Sequence, residues 1–132
     1  MTLHLMSSAD WNGCAFDGNW KPLDGGKIDV IEPATGQPIG RVARASAQDV
    51  RSGCAQARQA QKAWAALPYG ERARVFRKAA ELLEANRAEV ASWIVRETGG
   101  IPPKALFEIG SVLHHCHEAA AMVTQARGLV LP

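Results

Sequence analysis

Four consecutive residues, His114-His115-Cys116-His117, form the densest group of ligating and acid–base side chains in the chain. Imidazole and thiolate are good zinc donors, and a structural zinc site needs four ligands converging tetrahedrally, commonly His pairs three to five residues apart plus ligands from elsewhere. On a helix His114 and His117 share a face, whereas His115 and Cys116 point away by about 100° and 200°. The sequence has no second cluster of Cys, His or paired acids to complete a shell. The spacing therefore favours polar and packing positions of one helix over a metal site.

Thiols are the other potential reagents, because a thiolate is strongly nucleophilic once a base or a helix N-terminus lowers its pKa. Cys54 falls in the middle of a helical pattern on its apolar stripe, where a small thiol is ordinary packing. Cys14 precedes a strand with no His nearby, and the His neighbours of Cys116 are consecutive helix positions that do not face it. None of the three is expected to act as a nucleophile. Their odd, scattered count fits reduced thiols in a cytoplasmic protein better than a disulfide framework. No G-x-G-x-x-G, G-x-x-x-x-G-K-[ST] or G-x-S-x-G motif occurs. In "RETGGIPPKA" the glycines follow a helix instead of opening one, so the backbone dipoles point the wrong way for a phosphate. Arg72, Arg74, Arg77 and Lys78 lie near Glu71, Glu81 and Glu84, which describes a solvated helix surface rather than an anion site.

Composition narrows the classes further. The chain has 132 residues, 47% hydrophobic and 21% charged, with a net charge of +2 and both signs interleaved. That is globular, with neither a basic face for nucleic acid nor a polybasic run for a membrane. "MTLHLMSSAD" lacks the basic start and apolar core of a signal peptide, and no apolar stretch approaches the roughly 18 residues of a membrane span. The expectation is a soluble, cytoplasmic chain without nucleic-acid or membrane partners.

The elements that must hold these residues are of two kinds. Phe16 to Val42 reads as a small antiparallel meander: Asp17-Gly18-Asn19 and Asp24-Gly25-Gly26 mark turns, Ile28 and Val30 alternate with Asp29, and Pro33 to Gly36 turns the chain toward Ile39 and Val42. Three short strands cannot bury a face alone, so the meander needs a partner surface. From Ser46 the period becomes helical. Ser46 and Asp49 form a capping box ahead of a narrow stripe of Val50, Cys54, Ala57, Ala60, Ala63 and Trp64, ended by Leu67-Pro68. A second helix runs from about Gly70 to Ala85, with Val75, Phe76, Ala79, Leu82 and Leu83 inward. Asn86 with Glu89 caps a third, which carries Val90, Trp93, Ile94 and Val95 and stops at Gly99-Gly100. Pro102-Pro103 opens a fourth, Lys104 to about Arg127, closed by Gly128 before an extended run, Leu129 to Pro132.

The order of "FDGNW", "IEPATGQPIGRVARAS" and "DVRSGCAQARQAQKAWAALPYGERARVFRKAAELLEANRAEVASWIVRETGG" resembles the N-terminal portion of the NAD(P)-dependent aldehyde dehydrogenase superfamily. The likeness runs from about Phe16 to Pro132. It rests on the Pro-Ala-Thr-Gly turn, on Ala57, Ala60 and Trp64 in Ala-x-x-Ala-x-x-x-Trp, on Glu71-Arg72, and on Glu97-Thr98-Gly99. The family pattern often has Lys where Gly100 stands. "RETGGIPPKALFEIG" is similar to the benzaldehyde and related aromatic-aldehyde branch.

The resemblance implies an α/β protein with an incomplete aldehyde dehydrogenase fold: an antiparallel meander followed by four helices that belong on a Rossmann-like cofactor domain. It divides the chain into an N-terminal arm (1–15), an assembly-type β segment (16–45) and the helical part of the cofactor domain (46–132). It also implies that the family's nucleophilic cysteine, general-base glutamate, oxyanion-stabilising asparagine and dinucleotide segment match positions beyond Pro132. The expectation is therefore a fragment of an enzyme that oxidises an aromatic aldehyde with NAD or NADP. Such a fragment would be inactive alone, with no catalytic, cofactor or metal residue of its own, and prone to self-association. In the complete enzyme the chain would join a homo-oligomer through its β segment, and Phe107, Ser111 and His114 would border the aldehyde tunnel. Phe107 as core packing is the competing role. Two other readings are a non-catalytic paralogue that pairs with a full-length subunit by strand addition, and a small zinc protein built on His114, Cys116 and His117.

Overall fold

The computed structural model describes Leu5, residues 7–125 and Gly128. A short helix α1 (Ser8–Trp11) starts on Ser7, whose hydroxyl accepts the Ala9 N–H at 3.2 Å. Strands β1 (Ala15–Phe16) and β2 (Trp20–Lys21) form a tight hairpin, turned at Gly18 with φ 114° and clipped by a 2.6 Å Lys21–Asp17 ion pair. β3 (Lys27–Ile31) pairs antiparallel with β4 (Pro38–Ala43), with a register shift at Val30/Ile31. Between them the Glu32 carbonyl accepts the N–H groups of Thr35 and Gly36, and Gly36 takes the positive φ of 70° that closes the turn.

These strands do not form a meander in chain order. Among the described residues there are two separate two-stranded ladders, and β2 does not pair with β3. The outer edge of β4 is instead bonded by the segment just before β1. The Gly13 N–H donates to the Arg41 carbonyl at 2.8 Å, the Ala43 N–H to the Cys14 carbonyl at 3.1 Å, and the Arg41 N–H to Asn12 Oδ1 at 2.9 Å. The cause lies at Gly25-Gly26. Gly25 sits so close to the Arg44–Ala45 backbone that a Cβ would come within 2.3 Å of the Arg44 carbonyl oxygen, and Gly26 accepts the Arg44 N–H at φ 89°. This close approach steers β3 onto one edge of β4 and leaves the other edge to residues 12–14.

Four helices follow: α2 (Ala47–Ala66), α3 (Tyr69–Ala85), α4 (Arg87–Thr98) and α5 (Pro102–Ala121). The capping box of α2 forms as expected. Ser46 Oγ accepts the Asp49 N–H at 3.2 Å, and Asp49 Oδ2 accepts the Ser46 N–H at 2.8 Å. The same carboxylate accepts the Asp24 N–H at 3.3 Å and so ties the helix to the β2–β3 connection. Bonds from Ser46 and Asp24, with Lys21 nearby, hold Asp49 below its ordinary pKa. The expected α2 stripe lies on the surface: Val50 is 56% exposed, Cys54, Ala57, Ala60 and Ala63 are exposed, and Trp64 is half-buried.

Ala73 and Ala80 of α3 and Ala105, Ile109 and Ala120 of α5 are the only fully buried apolar side chains among the described residues, and α3 and α5 pack on each other. The expected inward set of α3 is therefore rotated. Val75, Phe76, Ala79 and Leu82 are exposed and Leu83 is half-buried, because the close approach to α5 selects alanine rather than the larger side chains. Asn86 does not box with Glu89. Its Nδ2 donates back to the Leu82 carbonyl at 2.8 Å, while Glu89 accepts the Leu5 N–H at 2.9 Å. Gly99 ends α4 in the left-handed region, with its N–H on the Val95 carbonyl. α5 stops at Ala121 and tightens into a 3-10 turn over Met122–Thr124, short of the expected end. There the Thr124 hydroxyl donates to the Ala121 carbonyl and offers the chain an alternative to helix. Arg127 and the extended run from Leu129 to Pro132 lie outside the described residues. No described helix is long and apolar enough to cross a membrane.

Two glycine substitutions separate these constraints. Gly25→Ala should destabilise the chain by about 1–3 kcal/mol through overpacking and lower its melting temperature, since its methyl would overlap the Arg44 backbone. Gly53→Ala, in α2 with open space at its Cβ, should stabilise by about 0.5–1 kcal/mol of helix propensity. Thermal denaturation that ranked them the other way would reject the close-approach account. For Asp49, a depressed folded-state pKa gives a contribution that is complete above the unfolded carboxylate value and lost as pH falls through the folded one. Denaturant titrations below pH 4 should therefore show a shallower loss of stability in Asp49→Asn than in the parent.

Candidate functional site

α5 carries two faces of opposite character. Ala105, Ile109 and Ala120 are buried on one, while Phe107, Ser111 and His114 lie along the other at steps of four and three residues. The structure brings these three together, with Gly110 and His115, around one shallow depression. Phe107 is 74% exposed, so within this chain it is not part of the core. The Ser111 hydroxyl donates to the Phe107 carbonyl at 3.1 Å, which ties the side chain to its own helix. The His114 and His115 rings are 5.9 Å apart and tilted by 56°. Gly110 keeps the floor open, with nothing within 4 Å of the position a Cβ would take. The helix is set in place by Pro102 and Pro103 in its first turn and by the Lys104–Glu108 ion pair.

This face offers an aromatic ring, a hydroxyl and imidazoles, but no nucleophile paired with a base. Cys116 is half-buried among exposed His114, His115 and His117. Among the described residues no three His, Cys, Asp or Glu side chains are grouped so that they could hold a metal ion. Cys14 is half-buried and Cys54 exposed. Nor do these residues fit a dinucleotide: the Gly99 N–H is spent on Val95 and the next helix opens on two prolines, which have no N–H to give.

A second concavity, which sequence reasoning missed, lies between α1, the β3–β4 pair and α4. Trp11, Trp20 and Trp93 line it together with Leu5, Glu89 and Glu97, around a volume of about 260 Å³. Trp11 and Trp93 meet edge to face at 5.6 Å, and a Cβ on Gly40 would strike the Trp11 ring at 2.7 Å. The signal in the sequence was the four-residue spacing of Glu89, Trp93 and Glu97 on one face of α4.

Residues 20–132 match the aldehyde dehydrogenase family. The chain belongs to that family. It is 44% identical over 130 residues to a vanillin dehydrogenase of Amycolatopsis, covering 98% of this chain and 27% of the relative. It is 40% identical over 122 residues to a benzaldehyde dehydrogenase [NAD(+)] of Pseudomonas putida, covering 92% of this chain and 25% of that one. The crystal structure of an NAD-dependent benzaldehyde dehydrogenase from Corynebacterium glutamicum superposes with a TM-score of 0.83 at 29% identity, over 99% of this chain and 28% of that one. The family expectation and its aromatic-aldehyde branch are both met by these relatives. The chain spans about a quarter of their length.

The two faces of α5 respond differently to truncation. Phe107→Ala should leave the stability of this chain within about 0.5 kcal/mol of the parent, as surface changes do. Ile109→Ala, at a residue 1% exposed, should cost about 2–5 kcal/mol. Equal losses would place Phe107 in the core.

Proposed function

We propose that this chain is the N-terminal portion of an NAD(P)-dependent aldehyde dehydrogenase that converts an aromatic aldehyde to its carboxylic acid, and that it is inactive alone. The observation that carries this reading is the match of nearly the whole chain to vanillin and benzaldehyde dehydrogenases over a quarter of their length. The geometry is consistent with it. Aldehyde oxidation of this kind needs an activated thiolate, donors aimed at the developing oxyanion, and a base to bring in water. Bound nicotinamide supplies the hydride acceptor. Among the described residues the thiols form no disulfide, and the glycines nearest a helix start form a C-cap instead.

In the complete enzyme the role left for this chain is positioning. α2 to α5 pack on the cofactor domain, and Phe107, Ser111 and His114 form one wall of the aldehyde tunnel, where the Phe107 ring contacts an aromatic substrate by its face or edge. The β segment contributes to a homo-oligomer. Among the described residues β3 is paired on one side only, by β4, which leaves an edge able to accept a strand. The same edge supports a second reading, a non-catalytic paralogue that adds this strand to a full-length subunit. We place the protein in the cytoplasm, without nucleic-acid or membrane partners.

Purified chain mixed with benzaldehyde and either NAD or NADP should produce no reduced nucleotide. Any turnover would sink the inactive-portion reading. Joined to the remaining length of the family fold, the same residues should support oxidation of benzaldehyde, and Phe107→Ala should shift selectivity from aromatic toward aliphatic aldehydes. An unchanged selectivity profile would remove Phe107 from the tunnel. In sedimentation the chain should self-associate, since Phe16, Val50, Val75, Ile101 and Phe107 are all more than half exposed. A monodisperse monomer with a cooperative, high-temperature melt would argue for an independent module.

A further inference from the structure

We infer that Gly110 sets substrate specificity by leaving a notch on α5 for a ring substituent of the aromatic aldehyde. The Ser111 oxygen accepts a hydrogen bond from that substituent when it is a hydroxyl. The assignment rests on the reading of α5 as a tunnel wall and names the substrate class for it, aromatic aldehydes hydroxylated on the ring. Phe107, Gly110, Ser111 and His114 stand at steps of three and four residues, so they are the corners of one diamond on the helix surface. All four, with His115, border the same depression. Gly110 is the corner without a side chain, one turn from Phe107 on one side and from His114 on the other.

The packing of the described residues does not call for glycine there. Glycine is the weakest helix former after proline, and residue 110 lies well inside the 20-residue α5. Its backbone is ordinary helix, and no described heavy atom outside its own helix turn lies within 4 Å of the position a Cβ would take. Gly25 and Gly40 differ, since a Cβ would strike the Arg44 backbone at one and the Trp11 ring at the other. Gly53 of α2 is equally open, but its helix neighbours Asp49, Val50, Gln56 and Ala57 include neither a ring nor an imidazole. At Gly110 the open corner adjoins a phenyl ring that is 74% exposed. A flat ring set against Phe107 by face or edge carries its substituents over the neighbouring corner. Glycine there lets a substituent come close to the helix backbone, a use to which its missing Cβ is suited. Ser111 supplies the polarity. Its proton is spent on the Phe107 carbonyl, so its oxygen keeps acceptor capacity and has no donor to offer. A phenolic hydroxyl, which donates, suits that oxygen. A methyl group of similar size does not.

The test uses the complete enzyme, this chain joined to the remaining length of the family fold. Its substrates are benzaldehyde, meta- and para-hydroxybenzaldehyde and the corresponding tolualdehydes. Gly110→Ala should lower kcat/KM for the hydroxylated aldehydes relative to benzaldehyde by roughly tenfold, the low end for one extra carbon in a fitted pocket. The same change should leave the melting temperature of the 132-residue chain equal or higher, because alanine is the better helix former and has open space. That readout separates lost fit from lost folding. Ser111→Ala should lower the ratio of hydroxybenzaldehyde to tolualdehyde kcat/KM by about two- to tenfold, the net value of one hydrogen bond. An unchanged ratio in either variant, at both ring positions, would overturn the assignment. If Phe107→Ala still shifts selectivity from aromatic toward aliphatic aldehydes, the wall reading survives that failure. If Phe107→Ala also leaves the profile unchanged, the wall reading falls with it.

Discussion

The structure depends on the approach of α3 to α5, which is set by the size of a methyl group. Ala73, Ala80, Ala105 and Ala120 are buried there, and Ile109 is the one large side chain among them. Alanine at the contact lets two helix backbones come close and gather many weak dispersion contacts. It also removes little apolar surface from water per residue, since burial energy scales with area. The arrangement is therefore well defined and thin. It fixes where α5 points and leaves the larger apolar side chains of α2, α3 and α5 facing outward.

The β layer is joined to this helical part by a few specific contacts. α4 is the intermediary. Trp93 receives Trp11 edge-on, Arg96 reaches Glu32 in the β3–β4 turn, and Pro33 of that turn lies against Gly99, where a Cβ would come within 3.1 Å. Glu32 is held below its ordinary pKa first by the Thr35 hydroxyl and then by Arg96, so one carboxylate closes the turn and docks it. Two of the stretches that carried the family resemblance, Pro-Ala-Thr-Gly and Glu-Thr-Gly, thus touch each other. Their work in this chain is to join a hairpin to a helix end. A pair such as Arg96–Glu32, whose arginine side chain is 43% exposed, is worth little as isolated energy. Its value is directional, because it selects which turn meets which helix.

What could be read in advance follows from the range of the interaction concerned. The Ser46–Asp49 box, the Pro68 stop, the left-handed Gly99 and the Pro102 start are decided within a turn of chain, and each was legible. The strand order was not. It is set by Gly25 meeting Arg44 and by residues 12–14 meeting Arg41 and Ala43, and alternating hydrophobicity says nothing about which edge a segment will find. The rotation of α3 was missed for a related reason. Periodicity gives the spacing of a face, but whether alanine or leucine marks its centre depends on how near the neighbouring helix comes. The grouping of Phe107, Ser111 and His114 needed only helical geometry. The tryptophan cavity draws on three separate segments and had no local signature beyond the spacing on α4.

The same distinction of range bears on what the outward face of α5 can do. A helix presents its side chains along a line, with neighbours on one face about 5–6 Å apart. A ring, a hydroxyl and an imidazole on α5 can therefore border a substrate in sequence along that line. They cannot converge on one carbon from three directions, which thiolate attack, oxyanion stabilisation and water activation together demand. Convergence requires elements that meet end-on or across a cleft. Here α5 meets α3 and α4 side by side, and the contact is sealed by alanines that carry no chemistry. The packing that makes this portion of the fold close and definite is thus also what lays the outward side chains of α5 out along a line.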